Sequence, residues 1–358
     1  MKKGIVCALL AWLCMNKANA QASREVYFNN EDSIRFAGTL TMPAGKAKVP
    51  AVILLSGTGK QDRDGTMAGH KMFKALADSL VALGVAVLRT DDRGTGKTNG
   101  VYETATTEDF AMDALAAVRF LKAQPRIDNV GLLGHSEGGA AAIIAAASSK
   151  DVAFLVTLAG LAVSGVDALK YQNNALIEAA PISPYDKNRH RTITTRMFDT
   201  VYAYACTEKL EARLRSTYAA WKHADDSAYA ADKAGQEDHM RFFLESYITH
   251  ATGRWYQWHI RYAPEKYLQQ IKVPVLALNG DKDIMVPAGP NLSNIKNTLH
   301  AAGNYHVQTK VLPGLNHLFL KCNSCTNQEL PQLQGDFDPA AWQVIREWFE
   351  TIIISKLS

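Results

Sequence analysis

Short apolar runs alternate along this chain with stretches in which apolar side chains return every third or fourth position. The runs 49–55, 85–89, 129–133, 152–158 and 273–280 are bounded by turn residues and read as buried strands. Residues 305–312 alternate and read as a further strand. Between the runs, 72–83 and 107–123 carry helical spacing; Ala111, Ala114, Leu115, Val118 and Leu121 mark the packed face of the second. Segments 25–28 and 33–41 read as an antiparallel hairpin at one edge. Strands alternating with helices predict a mainly parallel sheet with helices on both faces. The closing helix is expected over 338–354, with Asp338 as its N-cap, Pro339 in its first turn, and Trp342, Ile345, Trp348 and Phe349 toward the sheet.

The alternation breaks between 163 and 268, where no strand is legible and the composition turns polar, aromatic and helical. This reads as a cap inserted between the sixth and seventh strands of the sheet. Its aromatic residues, Tyr202, Tyr204, Phe242, Phe243, Trp255, Tyr256 and Trp258, either wall a pocket or fill the cap's own core. Trp255 and Trp258 are taken as the pocket candidates.

Candidate chemistry centres on Gly134-His135-Ser136-Glu137-Gly138. An apolar strand precedes it and a helix of small residues, 139–147, follows it. Strand, Gly-x-Ser-x-Gly and helix in that order form a nucleophile elbow. The serine projects from a sharp turn, and the helix N-terminus brings N–H groups beside it. An acid and then a histidine should follow along the chain. Asp281-Lys282-Asp283 follows the strand 273–280, and either aspartate could serve. Pro313-Gly314-Leu315-Asn316-His317 follows the last strand, so His317 is the candidate base. His135, inside the elbow, is expected to line the site. His190 and His259 fall in the insertion within reach of a substrate, whereas His70, His223, His239, His250 and His300 read as solvated surface and His306 lies in a strand. An oxyanion would be held by backbone N–H groups of Glu137 and of Thr58 in the loop Ser56-Gly57-Thr58-Gly59, with Gly57 as the alternative to Thr58. Asp62, Arg63 and Asp64 read as a charged latch for this loop, pairing with Arg93 or Asp92.

With these residues quoted, the chain resembles the α/β-hydrolase superfamily, in its bacterial secreted carboxylesterase-like branch. The resemblance rests on four segments in order: Gly57-Thr58-Gly59-Lys60-Gln61-Asp62-Arg63-Asp64-Gly65, Arg93-Gly94-Thr95-Gly96-Lys97-Thr98, Gly280-Asp281-Lys282-Asp283 and Leu315-Asn316-His317-Leu318-Phe319. Thr58 and Lys60 depart from the Ser and Pro usual in that branch. The resemblance implies an eight-stranded, mainly parallel sheet with a helical cap, and it favours Asp283 as the acid. It also implies a serine hydrolase acting on small-molecule carboxylic esters with short acyl groups, through Ser136, His317 and Asp283. Gly94-Thr95-Gly96-Lys97-Thr98 suggests a phosphate loop, but Asp91 stands where that motif needs its first glycine. A serine exopeptidase or amidase would use the same residues, with Glu208, Glu211 or Glu245 as anchors for a peptide amine. A non-catalytic binding protein on this fold is the third reading.

Composition changes little. The length of 358 residues fits one catalytic domain, 21–162 and 269–358, with an insertion at 163–268. A formal net charge of +4 offers no case for nucleic acid. No metal or organic cofactor is implied. Met1-Lys2-Lys3, an apolar stretch too short to span a membrane, and Ala18-Asn19-Ala20 read as a signal peptide over 1–20. The mature protein is therefore expected to be exported, periplasmic or secreted, without stable membrane insertion. Beyond the leader, Cys322 and Cys325 are expected to form a local disulfide or stay as thiols, and Cys206 to be a buried thiol.

Overall fold

Eight strands hydrogen-bond side by side, and their connections explain where the chemistry collects. In the computed structural model they are β1 (Ala22–Asn29), β2 (Arg35–Met42), β3 (Val49–Leu55), β4 (Ala86–Thr90), β5 (Ile127–His135), β6 (Val152–Leu158), β7 (Val275–Gly280) and β8 (Val307–Leu312). The order across the sheet is β1-β2-β4-β3-β5-β6-β7-β8. β1 pairs antiparallel with β2 and β2 with β4; every other pair is parallel. The structure describes residues 22–45, 47–233, 235–326 and 328–355, so the expected leader lies outside the described residues. Among the described residues, no helix is long and apolar enough to cross a membrane.

The central strands are buried on both faces, which is why they read as unbroken apolar runs. Ile53, Leu132, Leu155 and Ala277 face one side, packed against α2 (Thr107–Lys122), α3 (Glu137–Ser148) and α10 (Ala288–Ala301). Their chain neighbours Val52, Leu54, Leu133, Val156 and Leu276 face the other, against α1 (Met72–Ala82) and α11 (Pro339–Trp348). Asp338 caps α11 by accepting from the Ala340 N–H, and Pro339 opens it. The helix is α only as far as Trp348 and continues as a π turn over Phe349–Ile354. Ile345, Trp348 and Phe349 are buried, while Trp342 stays half-buried.

Between β6 and β7 the described residues form six helices: α4 (Gly165–Ala179), α5 (Pro184–Tyr204), α6 (Leu210–Asp232), α7 (Leu244–Ala251), α8 (Arg254–His259) and α9 (Glu265–Leu268). They carry a hydrophobic cluster of their own, around Ile193, Met197, Val201, Leu214, Trp221 and Ile248. Tyr204, Phe242 and Tyr256 pack onto that cluster, whereas Tyr202 and Phe243 are 51% and 78% exposed. Arg189 ties the cap together, with charge-assisted hydrogen bonds to Asp225 and Asp238. Those two carboxylates hold its guanidinium above its ordinary range.

Candidate active site

β5 runs directly into α3, and Ser136 stands at the junction with φ 55° and ψ −120°. A non-glycine residue in this left-handed region is strained and persists only where its surroundings hold it. The Ser136 N–H donates to the Leu158 carbonyl at 3.0 Å, and its own carbonyl accepts from Gly139 and Leu161. The flanking glycines have a steric reason. A Cβ on Gly134 would collide with the Gly138 carbonyl, and one on Gly138 with the Leu55 and Ser56 carbonyls. Gly57 also leaves little room, since a Cβ there would lie 3.1 Å from the Ser136 Cβ.

The loops after β7 and β8 meet beside this turn. His317 Nδ1–H donates to Asp283 Oδ2 at 2.8 Å, which leaves Nε2 free to take a proton. The Asp283 side chain is fully buried, and its Oδ1 accepts from the Met285 and Val286 N–H groups at 2.8 and 2.9 Å. Asp281, the rival acid, instead accepts from the Gly314 N–H at the surface. His135 is buried against His317 with ring centroids 4.7 Å apart, and its Nε2–H donates to the His317 carbonyl at 2.9 Å. Burial first, and then the His317 ring, push its pKa down to about 3, so it stays neutral.

The loop after β3 is held from behind. Asp92 accepts from Ser56 Oγ and from the Gln61 N–H, at 2.5 and 2.8 Å, and so clamps both ends of the loop. Tyr102 Oη accepts from the Gly59 N–H at 2.6 Å. The charged latch exists with partners other than the expected ones. Arg63 pairs with Asp91 and Asp64 with Arg89, while Arg93 pairs with Asp113.

Burial pushes the Asp92 carboxyl from an ordinary 3.8 up to about 7, with smaller repulsion from Glu137 and Asp91. A carboxyl raised on folding binds its proton in the native chain before the unfolded one does. Its contribution to stability is therefore full below the unfolded value and falls as pH rises toward about 7. Melting temperature is expected to decline between pH 5 and pH 8, and Asp92→Asn to flatten that decline. Equal slopes for the two proteins in thermal unfolding across this range would refute the assignment.

Ser136, His317, His135, Gly57, Thr58 and Glu137 all line one cavity of about 470 Å³. The cap contributes Trp255 and His259, stacked 4.5 Å apart, and Leu169 and Gln172 from α4. Ile284, Met285, Val286 and Leu318 complete a largely apolar wall, closed by Cys325 and Leu330. Cys325 is joined to Cys322 by a disulfide. His190 is not among the lining residues, and Trp258 lines a separate cavity with Cys206 and Arg261. Cys206 is exposed, contrary to expectation, in the turn that follows α5, where its φ is 62°. His70, expected at the surface, is buried with its two ring nitrogens at the Gly335 and Leu330 carbonyls, 2.6 and 2.8 Å away. Glu211 and Glu245 are spent on Arg215 outside the cavity, and Glu208 does not line it.

The elbow motif calls on the Glu137 backbone alone and gives its side chain no role. That carboxylate is 2% exposed and accepts from Thr58, Thr107 and Trp255. The available sign was an acid placed between small residues in a helix bound to be buried. In the sequence Asp92 likewise reads only as a partner of the charged latch.

Residues 32–306 of the chain match the X-Pro dipeptidyl-peptidase (S15) family. Over 101 residues the chain is 36% identical to Esterase EstD of Thermotoga maritima. That stretch spans 28% of this chain and 24% of the relative, so about a quarter of the relative's length is matched. Two solved structures are similar in fold. Est1E from Butyrivibrio proteoclasticus, with ferulic acid bound, is 17% identical at a TM-score of 0.52, over 92% of this chain and 99% of that one. The Pyrococcus furiosus esterase Pf2001 is 16% identical at a TM-score of 0.56, over 93% and 92%. At such identities they speak for the fold alone, and that fold is the α/β-hydrolase fold.

Proposed function

From the premise that the chain belongs to the X-Pro dipeptidyl-peptidase (S15) family of α/β-hydrolases, we propose that it is a serine esterase forming an acyl-enzyme. The observation that carries this reading is the His317–Asp283 hydrogen bond of 2.8 Å at the rim of a cavity that also exposes Ser136. Ser136 Oγ attacks the ester carbonyl and gives its proton to His317 Nε2. Asp283 keeps the ring oriented and stabilises the imidazolium. The N–H groups of Thr58 and Glu137 receive the negative oxygen. Glu137 opens α3, so its N–H has no carbonyl one turn behind it in the helix. His317 then protonates the departing alcohol, and water repeats the sequence on the acyl-enzyme to release the acid.

Two features favour esters over peptides. EstD is named as an esterase. Among the described residues that line the cavity, Glu137 is the one carboxylic acid, and it is already taken by three neutral donors, which leaves no free carboxylate there for a peptide amine. The apolar wall and modest volume suit short acyl groups. The family's own name keeps the peptidase as the second reading. Export belongs to the same proposal, supported by the leader-like residues 1–20 and by a disulfide, which persists in oxidising compartments.

Hydrolysis of p-nitrophenyl acetate, butyrate and octanoate, set beside alanyl-prolyl p-nitroanilide, tests the reading. The short esters are expected to be turned over fastest, with kcat/KM falling at octanoate. Faster cleavage of the anilide would make the protein a peptidase. Inertness toward all four, with no labelling of Ser136 by a fluorophosphonate, would make it a non-catalytic member of the fold.

A further inference from the structure

The Glu137 carboxyl is buried, and three separate elements have turned a donor toward it. Its Oε2 accepts from Thr58 Oγ1 at 2.7 Å, in the loop after β3. Its Oε1 accepts from Thr107 Oγ1, in the first turn of α2, and from Trp255 Nε1 in the cap helix α8, each at 2.6 Å. No lysine or arginine pairs with it among the described residues. Thr107 is itself held at a helix start fixed by a capping box between Thr106 and Asp109. Trp255 is braced by the His259 ring stacked on it.

A buried carboxyl with no cation beside it depends on its hydrogen bonds, and losing one leaves a buried polar group poorly satisfied. The three donors and the carboxylate therefore hold one another in place. Thr58 and Glu137 are also the residues whose backbone N–H groups face the nascent oxyanion under the reading above. We propose that Glu137 is a positioning residue that couples docking of the cap, through Trp255, to the spacing of the oxyanion donors, through Thr58. The inference rests on the serine-hydrolase reading. It adds that the cap acts on the chemical step, and not only on which substrates enter.

The test uses p-nitrophenyl acetate, whose acyl group is too small to need the cap for binding. Trp255→Phe keeps an aromatic ring but removes the Nε1 donor together with part of the indole; Thr58→Val, the narrower probe, keeps the backbone N–H and exchanges only the hydroxyl for a methyl. Each is expected to lower kcat by about 10-fold or more, as misplacement of an oxyanion donor does, with KM changed far less. The double variant should lose less than the product of the two single losses, because both act through one carboxylate. Glu137→Gln should lower kcat at least as far. Thermal melting of each variant reports whether it folds, and Ser136 labelling of the wild type reports on the underlying reading.

Wild-type turnover with unchanged kcat in a folded Trp255→Phe would overturn the coupling and leave the esterase reading intact. A Glu137→Gln defect confined to KM for an alanyl ester would instead make Glu137 an amine anchor, and would also overturn it. A wild type that neither turns over nor labels would remove both readings together.

Discussion

Ser136→Ala is expected to reduce ester turnover by about four to six orders of magnitude, the loss seen when a nucleophile that works as one unit with its base is removed. The effect should be this large because no neighbouring group can take over. His317 Nδ1 is committed to Asp283, and His135 is buried, neutral and committed to the His317 carbonyl. The variant should also lose covalent labelling by a fluorophosphonate, read as the missing mass shift of the intact protein. Its melting temperature should barely move. The Ser136 side chain makes no hydrogen bond among the described residues, and the turn is held by its backbone contacts to Leu158, Gly139 and Leu161. Retention of more than about a hundredth of wild-type kcat would place the nucleophile elsewhere.

Gly134→Ala should have the largest effect on stability. The added methyl would enter the Gly138 carbonyl and the Gly139 amide, both backbone atoms of a helix that is itself pressed on β3 and β6. No rotamer change can relieve a clash between backbone and Cβ, so β5 and α3 must separate. A cost above about 3 kcal/mol is expected, or a melting point lowered by about 6 °C or more for a chain of this size. Gly289→Ala is the control. It lies in α10 with nothing within 4 Å of its would-be Cβ, and should be neutral or slightly stabilising. Comparable melting of the two variants would refute the steric account of the elbow.

Most of the architecture could be read before any contact was known. Strand β3 and strand β6 begin and end where their apolar runs do, at Val49–Leu55 and Val152–Leu158. The break in the strand–helix alternation marked where the helices α4 to α9 are inserted. The elbow was legible because its demand is local: a strand, a strained serine and a helix follow one another within a few residues. Asp283 and His317 were legible as residues of loops at strand ends, though the hydrogen bond between them spans 34 positions.

Periodicity and local sterics suffice for the sheet and its helical faces, for the glycines that let α3 approach β5, and for the loops that would carry an acid and a base. Which side chains meet follows from the packing of whole elements. Arg63 chose Asp91, Trp258 turned to another cavity while Trp255 reached Glu137, His70 went inside and Cys206 out. Periodicity reports which face of its own element a residue occupies. A pairing across more than a hundred positions, such as Trp255 with Glu137, depends on how whole elements pack, and no local pattern encodes that.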